Sequence, residues 1–138
     1  MELFGSYTSP YVRHCRIAFK ETGLAYSFTE TDHDMSAKLS PAKKVPFLHH
    51  NDLRFFDSSS ILKYVREKNG ERFFADTTDF DQYCLVNTAM DATINLFLLS
   101  KEGVTPENNG YMKRQHERVH EILALMESRD HAVAYEGP

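Results

Sequence analysis

The dipeptide Ser9-Pro10 constrains this chain more than any other feature. Serine caps a helix by accepting a backbone N–H, and proline is pre-organised for the first helical position, so a helix begins here. Before it, Leu3 to Tyr7 reads as a short strand. After it, Tyr11, Cys15, Ala18 and Phe19 recur at helical spacing, and Gly23 stands where a left-handed C-cap belongs. Tyr26 to Thr31 then alternates apolar and polar residues, as a half-buried strand does. Strand, helix and strand make a βαβ unit, whose two strands pair in parallel.

Residues 32 to 44 carry no clean period; Ser36 to Leu39 suits a helical turn that Pro41 limits. A third strand starts at Val45-Pro46-Phe47-Leu48, and Asn51-Asp52 turns it into a fourth over Leu53 to Phe56. Asp57 and Ser58 cap a second full helix, with Ile61, Leu62 and Val65 inward and Asn69-Gly70 at its end. Glu71 to Thr78 reads as a linker. A long helix follows from about Asp79 to Lys101, with Phe80, Tyr83, Cys84, Met90, Ile94, Phe97 and Leu98 on one broad face. After the turn-rich stretch Gly103 to Gly110, a last helix from Tyr111 to Ser128 is expected to bury Met112, Val119, Ile122, Leu123 and Met126. Two such helices joined by a short loop pack antiparallel. The reading is an α/β chain in two parts, residues 1–72 and a helical hairpin over 78–138.

Three short motifs stand at fixed places on this scaffold: Ser9-Pro10-Tyr11-Val12-Arg13, Lys44-Val45-Pro46, and Asp57-Ser58. Together with the order βαβ, irregular segment, ββα, they resemble the thioredoxin-like N-terminal domain of the glutathione S-transferases, nearest the serine-type classes. The resemblance covers residues 1 to 70 and continues more loosely through the later helices. It implies an enzyme that activates the thiol of glutathione for attack on a small electrophile, with glutathione as co-substrate and no other cofactor.

The chemistry explains those positions. A free thiol near pKa 8.5 is a few per cent ionised at neutral pH, and lowering it by about two units requires roughly 2.7 kcal/mol. A hydrogen bond to a charged group supplies ~1.5–3 kcal/mol and a helix N-terminus ~0.3–1 kcal/mol. Ser9 matches the family's thiolate-activating serine; its other role is to cap its helix, and both uses draw on one hydroxyl. Tyr7 and Tyr11 are lesser candidates for the donor. Val45-Pro46 resembles the family's cis-proline site, where the Val45 backbone pairs with the cysteinyl part of glutathione; a proline opening an edge strand is the plainer reading. Lys44 matches the lysine that pairs with the glycyl carboxylate, and otherwise reads as a surface lysine. Asp57-Ser58 replaces the commoner Glu-Ser, and implies recognition of the γ-glutamyl group, the Asp57 carboxylate meeting its ammonium.

Other features narrow the reading. A net charge of −4 and a pI near 5.9 argue against a nucleic-acid partner held by bulk electrostatics. No apolar run reaches the ~20 residues of a membrane span. Met1 leads straight into a strand-like stretch without a signal-peptide pattern, so a cytoplasmic location is the expectation. Cys15 and Cys84 form no C-x-x-C pair; both fall on apolar helix faces, where a buried thiol is the expectation. A serine in place of cysteine at the first helix start also weighs against thiol–disulfide exchange. His49 and His50 point to opposite faces of a strand, whereas His116 and His120 share one helical face without a third ligand in view, so no metal site is expected. The family's second domain usually continues with more helices, and this chain ends at Ala134 to Pro138 where they would start. The resemblance therefore implies an incomplete electrophile pocket, with a homodimer through the helical hairpin covering the apolar faces. The alternative is a non-catalytic glutathione S-transferase-like module for binding or protein association.

Overall fold

A computed structural model describes residues 1–129. The chain divides into two compact units, Met1–Ala75 and Asp76–Pro138. In the first, β1 (Glu2–Gly5), α1 (Pro10–Thr22), β2 (Ser27–Glu30), α2 (His33–Leu39), β3 (Phe47–His50), β4 (Leu53–Phe55) and α3 (Ser58–Lys68) follow in order. The sheet runs β2-β1-β3-β4. Strand β1 is parallel to β2 and antiparallel to β3, and β3 is antiparallel to β4. This is the thioredoxin-like arrangement that the βαβ–ββα order implies.

Alternation along the strands sorts the core into two faces. A side chain at Gly5 would meet Val12 of α1, so Gly5 faces that helix, and Leu3, two residues earlier, shares the face. Leu48 pairs with Leu3 across the sheet. Leu3, Leu48, Val12, Cys15, Phe19, Ile61, Leu62 and Val65 are all buried, and α1 packs on α3. Each large apolar side chain so enclosed contributes about 1.5–3 kcal/mol. On the opposite face Phe4 stacks on Phe47 with ring centroids 4.6 Å apart, and His49 tilts against Phe4 at 4.7 Å.

Local chemistry sets the helix ends. Gly23 closes α1 with φ 68°, a left-handed conformation that glycine adopts without steric cost, and its N–H bonds the Phe19 carbonyl. Residues 33–39 form a full short helix where only a turn was expected. The cause is Asp32, which caps it by accepting the Met35 N–H at 2.7 Å. Strand β1 ends at Gly5, two residues before the expected Tyr7, because Ser6 and Thr8 bond each other in a turn.

The second unit holds α4 (Thr77–Ser100) and α5 (Gly110–Ser128), which pack together. Arg129, just past the end of α5, donates to Gln82 near the start of α4 at 3.2 Å, so the helices run antiparallel. Helix α4 starts earlier than expected because Asp76 accepts the Asp79 N–H. Its inner face also differs. Ala89 and Ala92 are its buried residues, whereas Phe80, Cys84, Phe97 and Leu98 are exposed. Small residues line the fully buried seam, while the large apolar side chains of α4 are spread around the helix, interspersed with polar residues such as Asp81, Asn87, Asp91 and Asn95, and form no single stripe. On α5, Met112 and Ile122 are buried as expected; Gln115 joins them, and Leu123 is exposed. Residues 134–138, where further helices were expected to begin, lie outside the described residues.

Candidate glutathione site

Strand register brings the three motifs to one end of the sheet. The β1 residue Phe4 pairs with Phe47, so the C-terminal end of β1, which leads into Ser9, lies beside the start of β3 and the preceding Lys44-Val45-Pro46. Leu48 of β3 pairs with Phe55, so β4 ends at this same edge and delivers Asp57-Ser58. Segments 36 and 48 residues apart in sequence, counted from Ser9 to Val45 and to Asp57, thus converge because each reaches the same end of the sheet.

Ser9 is the N-cap of α1: its Oγ accepts the Val12 N–H at 3.3 Å, and its carbonyl accepts the Arg13 N–H at 3.0 Å. Capping uses a lone pair of the hydroxyl and leaves its proton, so the Ser9 O–H retains a donor for a ligand. The cap and the thiolate-activating role are compatible, because one uses the acceptor and the other the donor. Accepting a backbone N–H also polarises the hydroxyl toward donation. Tyr7 lies elsewhere, half exposed and held against Phe28 at 4.9 Å, with the Arg16 guanidinium 4.7 Å over its ring.

The Val45–Pro46 peptide bond is cis. Pro46 is buried, and β3 pairing begins only at Phe47. Among the described residues no hydrogen bond engages the Val45 backbone, so its N–H and C=O are available to an extended peptide. Lys43, just before Lys44, has φ 52° and donates its N–H to the Ser40 carbonyl at 3.0 Å.

Asp57 caps α3 through Oδ1, which accepts the Ser59 N–H at 2.8 Å. Its other oxygen, Oδ2, lies 3.8 Å from Lys44 Nζ. The resemblance assigns these groups to opposite ends of glutathione, and in the fold they face each other as an ion pair. Both are more than half exposed, so their attraction is weak, of the order of 0–1 kcal/mol, and a zwitterionic ligand with its own carboxylates and ammonium can replace it. Ser58 is the first residue of α3, at a helix N-terminus of the kind whose backbone N–H groups and dipole favour an anion.

Beneath this edge lies Cys15. Its Sγ–H points to the Ser58 carbonyl at 3.9 Å, and burial, reinforced by the Asp57 charge, pushes the thiol up to about 12. It is therefore a neutral core thiol and not a nucleophile. Cys84, expected to be buried, is exposed.

Sequence reading missed Gly5 as a site residue. A Cβ there would lie 2.6 Å from both Val12 methyls, so glycine sets how closely the first turn of α1, with Ser9, approaches the sheet. Glycine at a strand end was the available signal.

A four-stranded mixed sheet with α1 and α3 packed together and the three motifs gathered at one end defines a thioredoxin-like domain, which a helical unit follows. The chain matches the family model "Glutathione S-transferase, N-terminal domain" over residues 3–73. It belongs to the glutathione S-transferase family. It is 35% identical over 72 residues to glutathione S-transferase U6 of Arabidopsis thaliana, a stretch that is 49% of this chain and 32% of that protein. It is 36% identical over 74 residues to the uncharacterized GST-like protein YibF of Escherichia coli K12, covering 50% of this chain and 37% of that protein. The matched region thus spans about a third of these relatives' length. Among solved structures, a glutathione S-transferase from Methylobacillus flagellatus with GSH bound superposes with a TM-score of 0.78 at 22% identity, over 91% of this chain and 67% of that one.

Proposed function

We propose that this chain binds glutathione where the three motifs converge and activates its thiol for attack on a small electrophile, so that the whole glutathionyl group is joined to it through sulfur. The observation that carries the reading is the Ser9 hydroxyl, which caps α1 with its oxygen and keeps its proton to donate at the helix N-terminus. The cysteinyl backbone would pair with Val45, the glycyl carboxylate with Lys44, and the γ-glutamyl group with Asp57 and the α3 N-terminus at Ser58. The thiol loses its proton to solvent; Ser9 O–H and the α1 dipole hold the resulting thiolate. Its sulfur lone pair then forms a bond to the electrophilic carbon, whose displaced electron pair leaves with the departing group or stays on the adduct. No metal or further cofactor enters this scheme. The scheme needs no membrane or nucleic acid, and suits the cytoplasm, where glutathione is abundant. A homodimer through the exposed apolar residues of α4 and α5 is part of the same proposal.

Ser9→Ala tests it. The bound thiolate absorbs in the ultraviolet, so its pKa can be read by titrating the complex. The expected result is an apparent pKa about two units below that of the free thiol in the wild type, rising toward the free value in Ser9→Ala with little change in affinity. An unaltered ionisation in the variant would remove Ser9 from this role. Binding with no turnover against any electrophile would favour the non-catalytic module.

A further inference from the structure

In the helical unit, one pair of side chains is not absorbed by the glutathione reading. His116 and His120 lie one turn apart on α5, both exposed, with their Nε2 atoms 3.2 Å from each other and ring centroids 4.4 Å apart. The helix beneath them is firmly set: Asn109 caps it by accepting the Met112 N–H at 3.1 Å, and Met112, Gln115 and Ile122 are buried. Two nitrogens that must share something at this distance have two options, a proton or a metal ion. For metal–nitrogen bonds of ~2.0–2.1 Å, a 3.2 Å separation subtends about 100–106° at the metal, close to the tetrahedral angle. Imidazole is a good donor for first-row divalent ions of the zinc, nickel and copper type.

We propose that His116 and His120 form a two-imidazole clip on α5 that binds a zinc-type divalent ion through both Nε2 atoms. Among the described residues no group of three or more histidines, cysteines and carboxylates is placed to hold a metal. Water therefore completes the shell, and the site is open to exchange. The helix does the pre-organising: i, i+4 spacing brings the rings together on one face, tilted 54° to each other, before the ion arrives. Both rings must then carry their proton on Nδ1, which breaks the imidazole–imidazole hydrogen bond and replaces it with two metal bonds.

The test is a calorimetric zinc titration of the full chain, without an affinity tag and in a Cys84→Ser background so that the exposed thiol is not a competitor. Saturable binding of one ion per chain is expected. His116→Ala and His120→Ala should each weaken it by more than the roughly 10–100-fold that loss of a mere second-shell partner costs. His33→Ala should leave it unchanged. On the chain with both histidines intact, zinc should shift the Nε2 resonances of His116 and His120 in a nitrogen NMR spectrum. Undiminished binding in the doubly substituted chain, absence of saturable binding at millimolar zinc, or shifts confined to other histidines would each overturn the assignment.

Discussion

Replacing Gly5 by alanine tests the packing logic of the site most directly. One methyl is added, with no demand on backbone conformation, because the conformational freedom of glycine is not what the position uses. The new Cβ would lie 2.6 Å from Val12 Cγ1 and Cγ2 and 3.2 Å from Val12 Cβ, where ~3.5–4.0 Å is normal contact. Val12 is fully buried in the first turn of α1, so it cannot swing into solvent. Relief requires moving α1 away from β1 by about 1 Å, the difference between those distances. Overpacking of this kind costs ~1–3 kcal/mol, against ~0.4–1 kcal/mol gained by restricting the unfolded chain. The expected net loss in a urea titration is thus about 1–2 kcal/mol. The same shift carries Ser9 with it, and a misplacement of ~1 Å at a reacting group can cost on the order of 100-fold in rate. A double-mutant cycle with Val12→Ala locates the cause: truncating Val12 vacates the space, so the two changes together should cost about 1 kcal/mol less than their sum. Gly5→Ala as stable as the wild type, or additive with Val12→Ala, would refute the close-packing account.

Three further outcomes are expected. Arg66, only 24% exposed, donates to Glu21 and to Glu71, tying the end of α3 to α1 and to the following segment. Arg66→Met should lower stability by about 1–2 kcal/mol after allowing for the exposed carboxylates, and wild-type stability in that variant would show the network to be inert. With a thiol-specific reagent at neutral pH, Cys84 should react in the folded chain and Cys15 only on unfolding, and fast labelling of Cys15 would contradict its burial. His14 is held below its ordinary value by burial and then by the Arg66 charge. Its neutral form favours the fold, so its contribution is complete above the unfolded value of 6.5 and is lost as pH falls below it. His14→Gln should flatten the stability profile on that acid side, and an unaltered slope would exclude the residue.

How far the sequence could be read depended on whether the signal was local. Ser9-Pro10, Gly23, Asp57-Ser58 and Asn69-Gly70 punctuate their own helices, so the order of elements, and hence the thioredoxin-like class, was legible without a structure. The motifs in that order also carried the family. The boundary at Asp32 was missed because capping by one aspartate leaves no periodic trace in a helix of seven residues. The inner face of α4 was misjudged for a different reason. Its apolar residues surround the helix, and periodicity cannot choose among several apolar stripes; packing against α5 selected Ala89 and Ala92.

The chain's own chemistry therefore determined which residue types stand at each helix start, and with them the donors and charges the site can use. Tertiary structure alone decided that Ser9, Val45 and Asp57 share one sheet edge, through the pairings of Phe4 with Phe47 and Leu48 with Phe55. It also decided that Lys44 and Asp57 rest against each other, that Cys15 is an inert core thiol, and that Gly5 sets the distance of Ser9 from the sheet. The physical reason is range: caps and turns act within four residues of the chain, whereas register, burial and close approach depend on segments that only folding brings together.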